Sequence, residues 1–178
     1  MPIEIVSVRG AAPDPDVVRL LTAAIAESLQ TRVSIGPDLR LPPDIPLSGS
    51  QLPSNAIVDR LIERAGPNRD TFDHLTLAVT SHDLYAPVRS FVFGEAAFGG
   101  AWAVVSSARL ASPIHDSNIL HDRLLKEAVH ELGHLVGLEH CPHPHCVMHP
   151  STSVLEIDEK VSEFCPSCRL GLSTSNGP

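Results

Sequence analysis

The stretch 130–140 constrains this chain more than any other. It reads His-Glu-Leu-Gly-His-Leu-Val-Gly-Leu-Glu-His, the pattern H-E-x-x-H-x-x-G-x-x-H. On a helix, positions i and i+4 lie one turn apart on the same face, so His130 and His134 can present their imidazoles to one ion. His140 cannot reach that ion from the same helix, because a continued helix would point it away and carry it about 9 Å further along the axis. The helix is therefore predicted to end after His134, with Gly137 in the left-handed conformation that turns the chain back.

The residue types in this stretch indicate a particular chemistry. Three neutral imidazole nitrogens, with a fourth position left open for water, form the ligand set of a catalytic zinc ion. Glu131 projects about 100° around the helix from His130, where it can reach water at the metal without occupying a ligand position. The pattern therefore indicates a metal-dependent hydrolase with Glu131 as general base. Two other interpretations stay open: histidines buried for structural reasons, and a metal site without catalysis.

A second group of metal-binding residues follows the histidines. All four cysteines of the chain lie within residues 141–168, at Cys141, Cys146, Cys165 and Cys168. Two pairs with short internal spacing suit a tetrahedral structural zinc. Disulfides and unlinked thiols are the alternatives, and disulfides are disfavoured in a reducing cytosol. A four-cysteine zinc site would pin the loop after His140 to the C-terminal helix, and that loop positions the third histidine.

Composition narrows the partners and the compartment. The 43% hydrophobic and 19% charged content is that of a globular protein. The net charge of −8 argues against a nucleic-acid partner, since such partners are usually bound by a basic stripe. No apolar run is long enough to cross a bilayer, and the first residues lack the features of a signal peptide. We therefore expect a cytoplasmic monomer without a nucleic-acid or membrane partner.

Hydrophobic patterning predicts strands that alternate with helices. Strands are predicted at 3–8, 31–35, 74–80, 90–93 and 101–110. Helices are predicted at 15–29, at 54–65 and from a cap at 116–118 to about 136. Residues 37–53 contain five prolines and are predicted to be irregular. This alternation favours an α/β fold with a mostly parallel sheet, in which Ser90–Glu95 is the segment that can run antiparallel.

The residues around the histidines also resemble a known family. The run from His130 to Met148, H-E-x-x-H-x-x-G-x-x-H-C-x4-C-x-M, followed by Cys165-x-x-Cys168, resembles the archaemetzincins, a branch of the metzincin zinc peptidases. The resemblance implies an α/β fold of metzincin type, with a twisted mixed sheet that is mostly parallel. It also implies an antiparallel edge strand, here Ser90–Glu95, beside the active-site cleft, and a C-terminal helix.

The resemblance further implies the role of each site residue. His130, His134 and His140 would bind a catalytic zinc, and Glu131 would be the general base and acid. The four cysteines would hold a second, structural zinc, giving two zinc ions per chain. Met148 would be the methionine of the Met-turn, an apolar floor beneath the metal, although a methionine that merely fills the core is the alternative. The substrate would be a peptide or protein, held by strand addition to the edge strand.

Two further functions remain open at this stage. A family of zinc-dependent single-strand endoribonucleases spaces three histidines in the same way but lacks the glutamate, so Glu131 and the acidic charge count against it. A non-catalytic, zinc-stabilised interaction module is the other. We expect residues 1–178 to form one metallopeptidase domain, with the sheet and helices in 1–136 and the Met-turn, cysteine site and C-terminal helix in 137–178. The remaining histidines of the loop, at positions 143, 145 and 149, are expected to face solvent or support the ligands, with His145 as a possible substitute ligand in the second site.

Overall fold

The computed structural model describes residues 1–66, 72–111 and 116–174. Its strands are β1 (Ile3–Ser7), β2 (Val33–Ile35), β3 (Leu52–Pro53), β4 (Leu75–Thr80), β5 (Leu84–Ala86), β6 (Arg89–Val92), β7 (Gly94–Ala96) and β8 (Trp102–Ser106). Its helices are α1 (Pro15–Leu29), α2 (Ser54–Ala65), α3 (Ser117–Leu135), α4 (Val154–Glu159) and α5 (Pro166–Thr174). The three long helices begin and end within about one residue of their predicted bounds.

The main sheet has the strand order β2–β1–β4–β8–β7. β1 pairs in parallel with β2 and β4, and β4 pairs in parallel with β8. β7 runs antiparallel to β8 at one edge. The predicted α/β fold, with a mostly parallel sheet and an antiparallel edge strand, is therefore confirmed.

The predicted edge strand Ser90–Glu95 is wrong in its bounds. Only β7 belongs to the edge of the main sheet, whereas β6 pairs with β5 in a second, small sheet of order β3–β5–β6. Phe93 lies between the two strands and is buried in the core at 5% exposure. The chain bends at Phe93 and passes from one sheet to the other. The second sheet was not predicted, because its strands have only two to four residues.

Side chains that alternate along the central strands build a core on each face of the main sheet. On one face, Ile5 and Leu77 pack with α1 and α3. On the other face, Val6 and Ala78 pack with α2. Every residue of β4 is buried, as expected for a parallel strand covered by helices on both faces.

The long helix α3 packs across the first of these faces and brings its C-terminal turns to the β7 edge. Asp116 caps its N-terminus by accepting a hydrogen bond from the backbone N–H of Asn118. Of the helices in the described ranges, none combines the length and apolar character that a membrane span requires.

Candidate active site and metal centre

The end of α3 sets the position of the third histidine. Gly137 has φ 87°, the left-handed conformation predicted for it. Its N–H donates to the carbonyl of His134 at 3.1 Å, and the N–H of Leu138 donates to the carbonyl of Gly133 at 3.0 Å. These two hydrogen bonds form a Schellman motif, which ends the helix and reverses the chain. His140 is thereby returned to the pair of histidines on α3.

The three predicted histidines meet at one point. His130, His134 and His140 each offer a ring nitrogen, and the three atoms lie within 4.8 Å of one another. The Nε2 atoms of His130 and His134 are 3.1 Å apart. Two nitrogens bound to one tetrahedral zinc would be separated by roughly 3.3 Å at ordinary zinc–nitrogen distances. The donor type and the spacing both fit a zinc ion.

Hydrogen bonds on the other ring nitrogen fix two of these imidazoles. Nδ1 of His130 lies 2.8 Å from the carbonyl oxygen of Val147, and Nδ1 of His134 lies 2.7 Å from that of Leu138. Because a carbonyl only accepts, each Nδ1 is the donor and each Nε2 keeps a free lone pair for a metal. Burial lowers the pKa of His130 to about 3 and also lowers the pKa of His134. Both rings are therefore neutral at pH 7, the state that binds a metal.

Glu131 lies beside the histidines and is only 6% exposed. Burial, followed by the charges of Glu127 and Glu95, raises its pKa well above the ordinary value. Gly94 at the start of β7 leaves the room that this carboxylate occupies. A Cβ atom there would lie 2.6 Å from Oε1 of Glu131 and 2.7 Å from the carbonyl oxygen of Val104. The signal available in the sequence was a glycine inside a strand, which often marks a close approach.

These groups open onto a cleft of about 500 Å³. Its walls are formed by β6 and β7, by the last turns of α3, and by the loop at 150–152. Phe98 is not among the lining residues, and its ring centroid lies 6.1 Å from that of His134. The site is thus an accessible groove with the three imidazoles and Glu131 on one wall.

Met148 lies beneath α3 and is fully buried. A Cβ atom on Gly133, between the two helix histidines, would collide with Sδ of Met148 and would lie 3.1 Å from the ring of Phe164. The carbonyl oxygen of Met148 also accepts a hydrogen bond from the N–H of Cys141 at 2.9 Å. The methionine therefore supports the helix at the level of the histidines, under a glycine that makes room for it.

The four cysteines form a second cluster, adjacent in sequence to the first. Sγ of Cys141 lies 3.7 Å from Sγ of Cys165, and Sγ of Cys146 lies 3.7 Å from Sγ of Cys168. These separations match the roughly 3.8 Å expected between two thiolates on one tetrahedral zinc and exceed by far the sulfur–sulfur bond of a disulfide. All four are free thiols. A backbone hydrogen bond from Cys168 lowers the pKa of Cys165 to about 7, whereas burial raises the pKa of Cys141 and the pKa of Cys168.

The other histidines of this loop are not part of either group. Nδ1 of His145 bonds to the carbonyl oxygen of Glu159 at 2.9 Å, and Nδ1 of His149 bonds to that of Cys141 at 3.0 Å. His143 is exposed. The substitution of His145 for a cysteine in the second group is therefore not seen.

A buried ion pair next to the cleft was not predicted. Nζ of Lys160 donates to Oε1 of Glu127 at 2.8 Å and to the carbonyl oxygen of His149 at 3.1 Å. Lys160 is 2% exposed and Glu127 is 4% exposed. Four residues earlier on α3, Arg123 forms two hydrogen bonds of 2.7 Å to Asp158. The two ion pairs fasten α4 and the loop before it to the face of α3 that carries the candidate base.

Comparison with known proteins places the chain in a family. Residues 50–174 match peptidase family M54, and both ligand groups lie within the matched residues. The chain belongs to peptidase family M54. The resemblance to the archaemetzincins drawn from the motif is thereby confirmed.

Relatives and solved structures agree with this membership. An archaemetzincin from Methanopyrus kandleri is 52% identical over 92 residues, which are 52% of this chain and 51% of the relative. In sequence, the chain thus covers about half the length of the first curated relatives. The crystal structure of the M. kandleri archaemetzincin has a TM-score of 0.83 and 36% identity, over 98% of this chain and 94% of that one. A structure described as a zinc-dependent peptidase from Methanocorpusculum labreanum has a TM-score of 0.83 and 28% identity, over 96% and 99% of the two chains.

Proposed function

We propose that this chain is a zinc-dependent metallopeptidase that hydrolyses peptide bonds. The observation that carries the proposal is the convergence of three neutral imidazoles beside the carboxylate of Glu131, in an open cleft. Membership of family M54 supports it, and so does the description of a similar structure as a zinc-dependent peptidase. The endoribonuclease alternative is disfavoured because three glutamates line the cleft, at positions 95, 127 and 131, and would repel a phosphate backbone.

The catalytic zinc would be held by His130, His134 and His140. Glu131 would transfer the proton of the attacking water. When bound, zinc supplies a Lewis acid that polarises the scissile carbonyl and lowers the pKa of water at the site to about 7. Glu131 would take a proton from the attacking water and deliver it to the leaving amine. Its position supports this role, because Glu131 is buried beside the three histidines and lines the cleft with them.

The backbone beside the cleft supports strand addition as the mode of peptide binding. In the described residues, β6 pairs only with β5 and β7 pairs only with β8, so each keeps one free edge. Both strands line the cleft. An extended peptide would form main-chain hydrogen bonds along this divided edge, with its side chains alternating between the cleft and solvent.

The four cysteines would hold a second zinc that is structural. The grounds are their spacing, their chemistry and the lack of an open ligand position in a four-thiolate site. On this proposal residues 1–178 form one metallopeptidase domain with two zinc ions, and Met148 is the floor of the catalytic one. The monomeric state and the cytoplasmic location remain predictions.

The test is to substitute Glu131 and to measure zinc and hydrolysis on the same samples. Glu131→Ala should retain the wild-type zinc content and melting temperature while hydrolysis of a peptide mixture falls by about 10²–10⁴-fold. His134→Ala should lose one of two zinc ions together with the activity. Wild-type hydrolysis by Glu131→Ala would refute the assigned mechanism. A wild-type protein that holds zinc at the histidines but cleaves no peptide would favour the interaction module.

A further inference from the structure

The charges along the cleft are unevenly distributed. Three glutamates lie on its β7 and α3 side, whereas Arg89, at the start of β6, is the only lysine or arginine among the lining residues that the structure describes. Arg89 is on β6 and Glu95 is on β7, so the positive charge and the acidic side chains lie on different elements of the cleft wall.

Arg89 differs from the other arginines near the cleft in having no partner. Arg109 and Arg123 each form a two-bond ion pair with an aspartate, at distances of 2.6–2.7 Å. In the described part of the chain, no ion pair or side-chain hydrogen bond involves Arg89, and its side chain is exposed. The exposed guanidinium of Arg89 therefore keeps its N–H donors available for a ligand.

Arg89 lines the same cleft as the three candidate zinc ligands, His130, His134 and His140. It follows the tip of the β5–β6 hairpin, where Val88 is 91% exposed and also lines the cleft. A peptide that pairs with β6 would pass directly beside this hairpin tip.

We propose that Arg89 binds a carboxylate of the peptide substrate at the β6 side of the cleft, so that the preferred substrates carry an acidic side chain or a free C-terminus there. The guanidinium offers two parallel N–H donors that match a carboxylate, an arrangement that a lysine does not reproduce. A chain with a net charge of −8 has no general attraction for an anionic peptide, so such a preference would be local. This inference rests on the proposed function, because it takes the cleft to be a peptide-binding groove.

Binding to the zinc-loaded Glu131→Ala protein separates this inference from hydrolysis. The probes are N-acetylated hexapeptides of small neutral residues. One set is C-terminally amidated and carries a single glutamate, glutamine or lysine at each position in turn, and one peptide is neutral with a free C-terminus. Each is measured against Glu131→Ala alone and with Arg89→Gln, Arg89→Lys or Arg32→Gln. Arg32 is an exposed arginine outside the cleft, so its substitution removes the same charge elsewhere.

The expected result is that one carboxylate peptide binds about two- to fivefold more tightly than its neutral counterpart. Arg89→Gln should abolish this difference, Arg89→Lys should restore it in part, and Arg32→Gln should leave it unchanged. A preference for glutamate at one position identifies a side chain as the source of the carboxylate, and a preference for the free acid identifies the C-terminus. Equal binding of acidic and neutral peptides, a preference that survives Arg89→Gln, or binding of none of the peptides overturns the inference.

Hydrolysis by wild-type protein is measured separately on the same peptides. Arg89-dependent binding without any hydrolysis would support the carboxylate site and count against the peptidase proposal. Hydrolysis without a carboxylate preference would support the peptidase proposal and count against the carboxylate site.

Discussion

The histidine group and the cysteine group are neighbours in the chain, but they differ in donor atom, in number of ligands and in whether they face the cleft. His140 and Cys141 are consecutive residues. The histidine group offers three nitrogens and faces a cleft of about 500 Å³, whereas the cysteine group brings four sulfur atoms together. A closed tetrahedral set leaves no position for water or substrate, and a set of three leaves one. On the proposed assignment, one short loop would hold a structural zinc site and a catalytic zinc site, and the first would fix the position of a ligand of the second.

The loop between them is connected to both groups by main-chain hydrogen bonds. Val147 binds the ring of His130 through its carbonyl, and Met148 accepts from the N–H of Cys141. Cys146 comes directly before these two residues and belongs to the cysteine group. Displacement of the cysteines should therefore weaken zinc binding at the histidines.

The largest effect is expected from removing a cysteine. Structural zinc contributes on the order of 10 kcal/mol of apparent binding free energy, comparable with the stability of a whole domain. Cys141→Ser and Cys165→Ser should each lower the melting temperature sharply under reducing conditions and weaken zinc retention at the histidines. His134→Ala should lose zinc from the histidines alone and melt close to wild type. Unchanged melting of both cysteine variants would show that the cysteines hold no structural metal.

A smaller effect is expected from the buried ion pair. Lys160→Met leaves Glu127 buried without its partner, which typically costs about 3–5 kcal/mol of unfolding free energy. Lys160 also donates a hydrogen bond to the carbonyl oxygen of His149. The variant should therefore lose zinc from the histidine group before it loses zinc from the cysteine group. Urea unfolding and zinc content would be measured for Lys160→Met, Glu127→Gln and the double variant.

The double variant is the control for this prediction. It removes both charges, so it should be more stable than Lys160→Met alone. A double variant whose loss equals the sum of the two single losses would show that Lys160 and Glu127 are not coupled.

A more local effect is expected from Gly94→Ala. The added Cβ would occupy space now filled by the carboxylate of Glu131, and β7 would have to move or Glu131 would have to turn away. Activity should fall by roughly 10–100-fold, an estimate based on the loss caused by a small misplacement of a catalytic group, with the zinc content of both groups unchanged. In a Glu131→Ala background the same substitution should cause a smaller further loss, because only the close contact with the carbonyl oxygen of Val104 then remains. A further loss there as large as in the wild-type background would mean that Gly94 acts through β7 rather than through Glu131.

Sequence could predict the parts of this molecule that depend on residues near one another in the chain. The bounds of α1 and α3 follow from helical spacing and from capping by Asp14 and Asp116. The left-handed Gly137 follows from the need to return His140 to the helix. The two ligand groups lie within residues 130–168, so their membership could be inferred from spacing alone.

The parts that were missed depend on contacts between distant residues. The pattern predicts a strand at 90–93 and the family resemblance implies an edge strand Ser90–Glu95, but Phe93 is buried between two short strands that belong to different sheets. Lys160 and Glu127 are 33 positions apart, and no local pattern connects them. The space that Gly94 leaves for Glu131 depends on how β7 lies against α3, which periodicity does not specify.

The smallest effect is expected from Met148→Leu, which tests whether the residue beneath the histidines acts through its shape or through its sulfur. Met148 is fully buried against Gly133, and its link to Cys141 is made by the backbone, which the substitution leaves in place. A swap that conserves volume usually costs less than about 1.5 kcal/mol. Melting should therefore fall by a few degrees, with both zinc ions retained and activity within about tenfold of wild type. Met148→Ala, which leaves a cavity, should cost about 2–5 kcal/mol and loosen the histidine group more than the cysteine group. If Met148→Leu lost zinc from the histidines while melting like wild type, the sulfur rather than the apolar floor would be what supports the site.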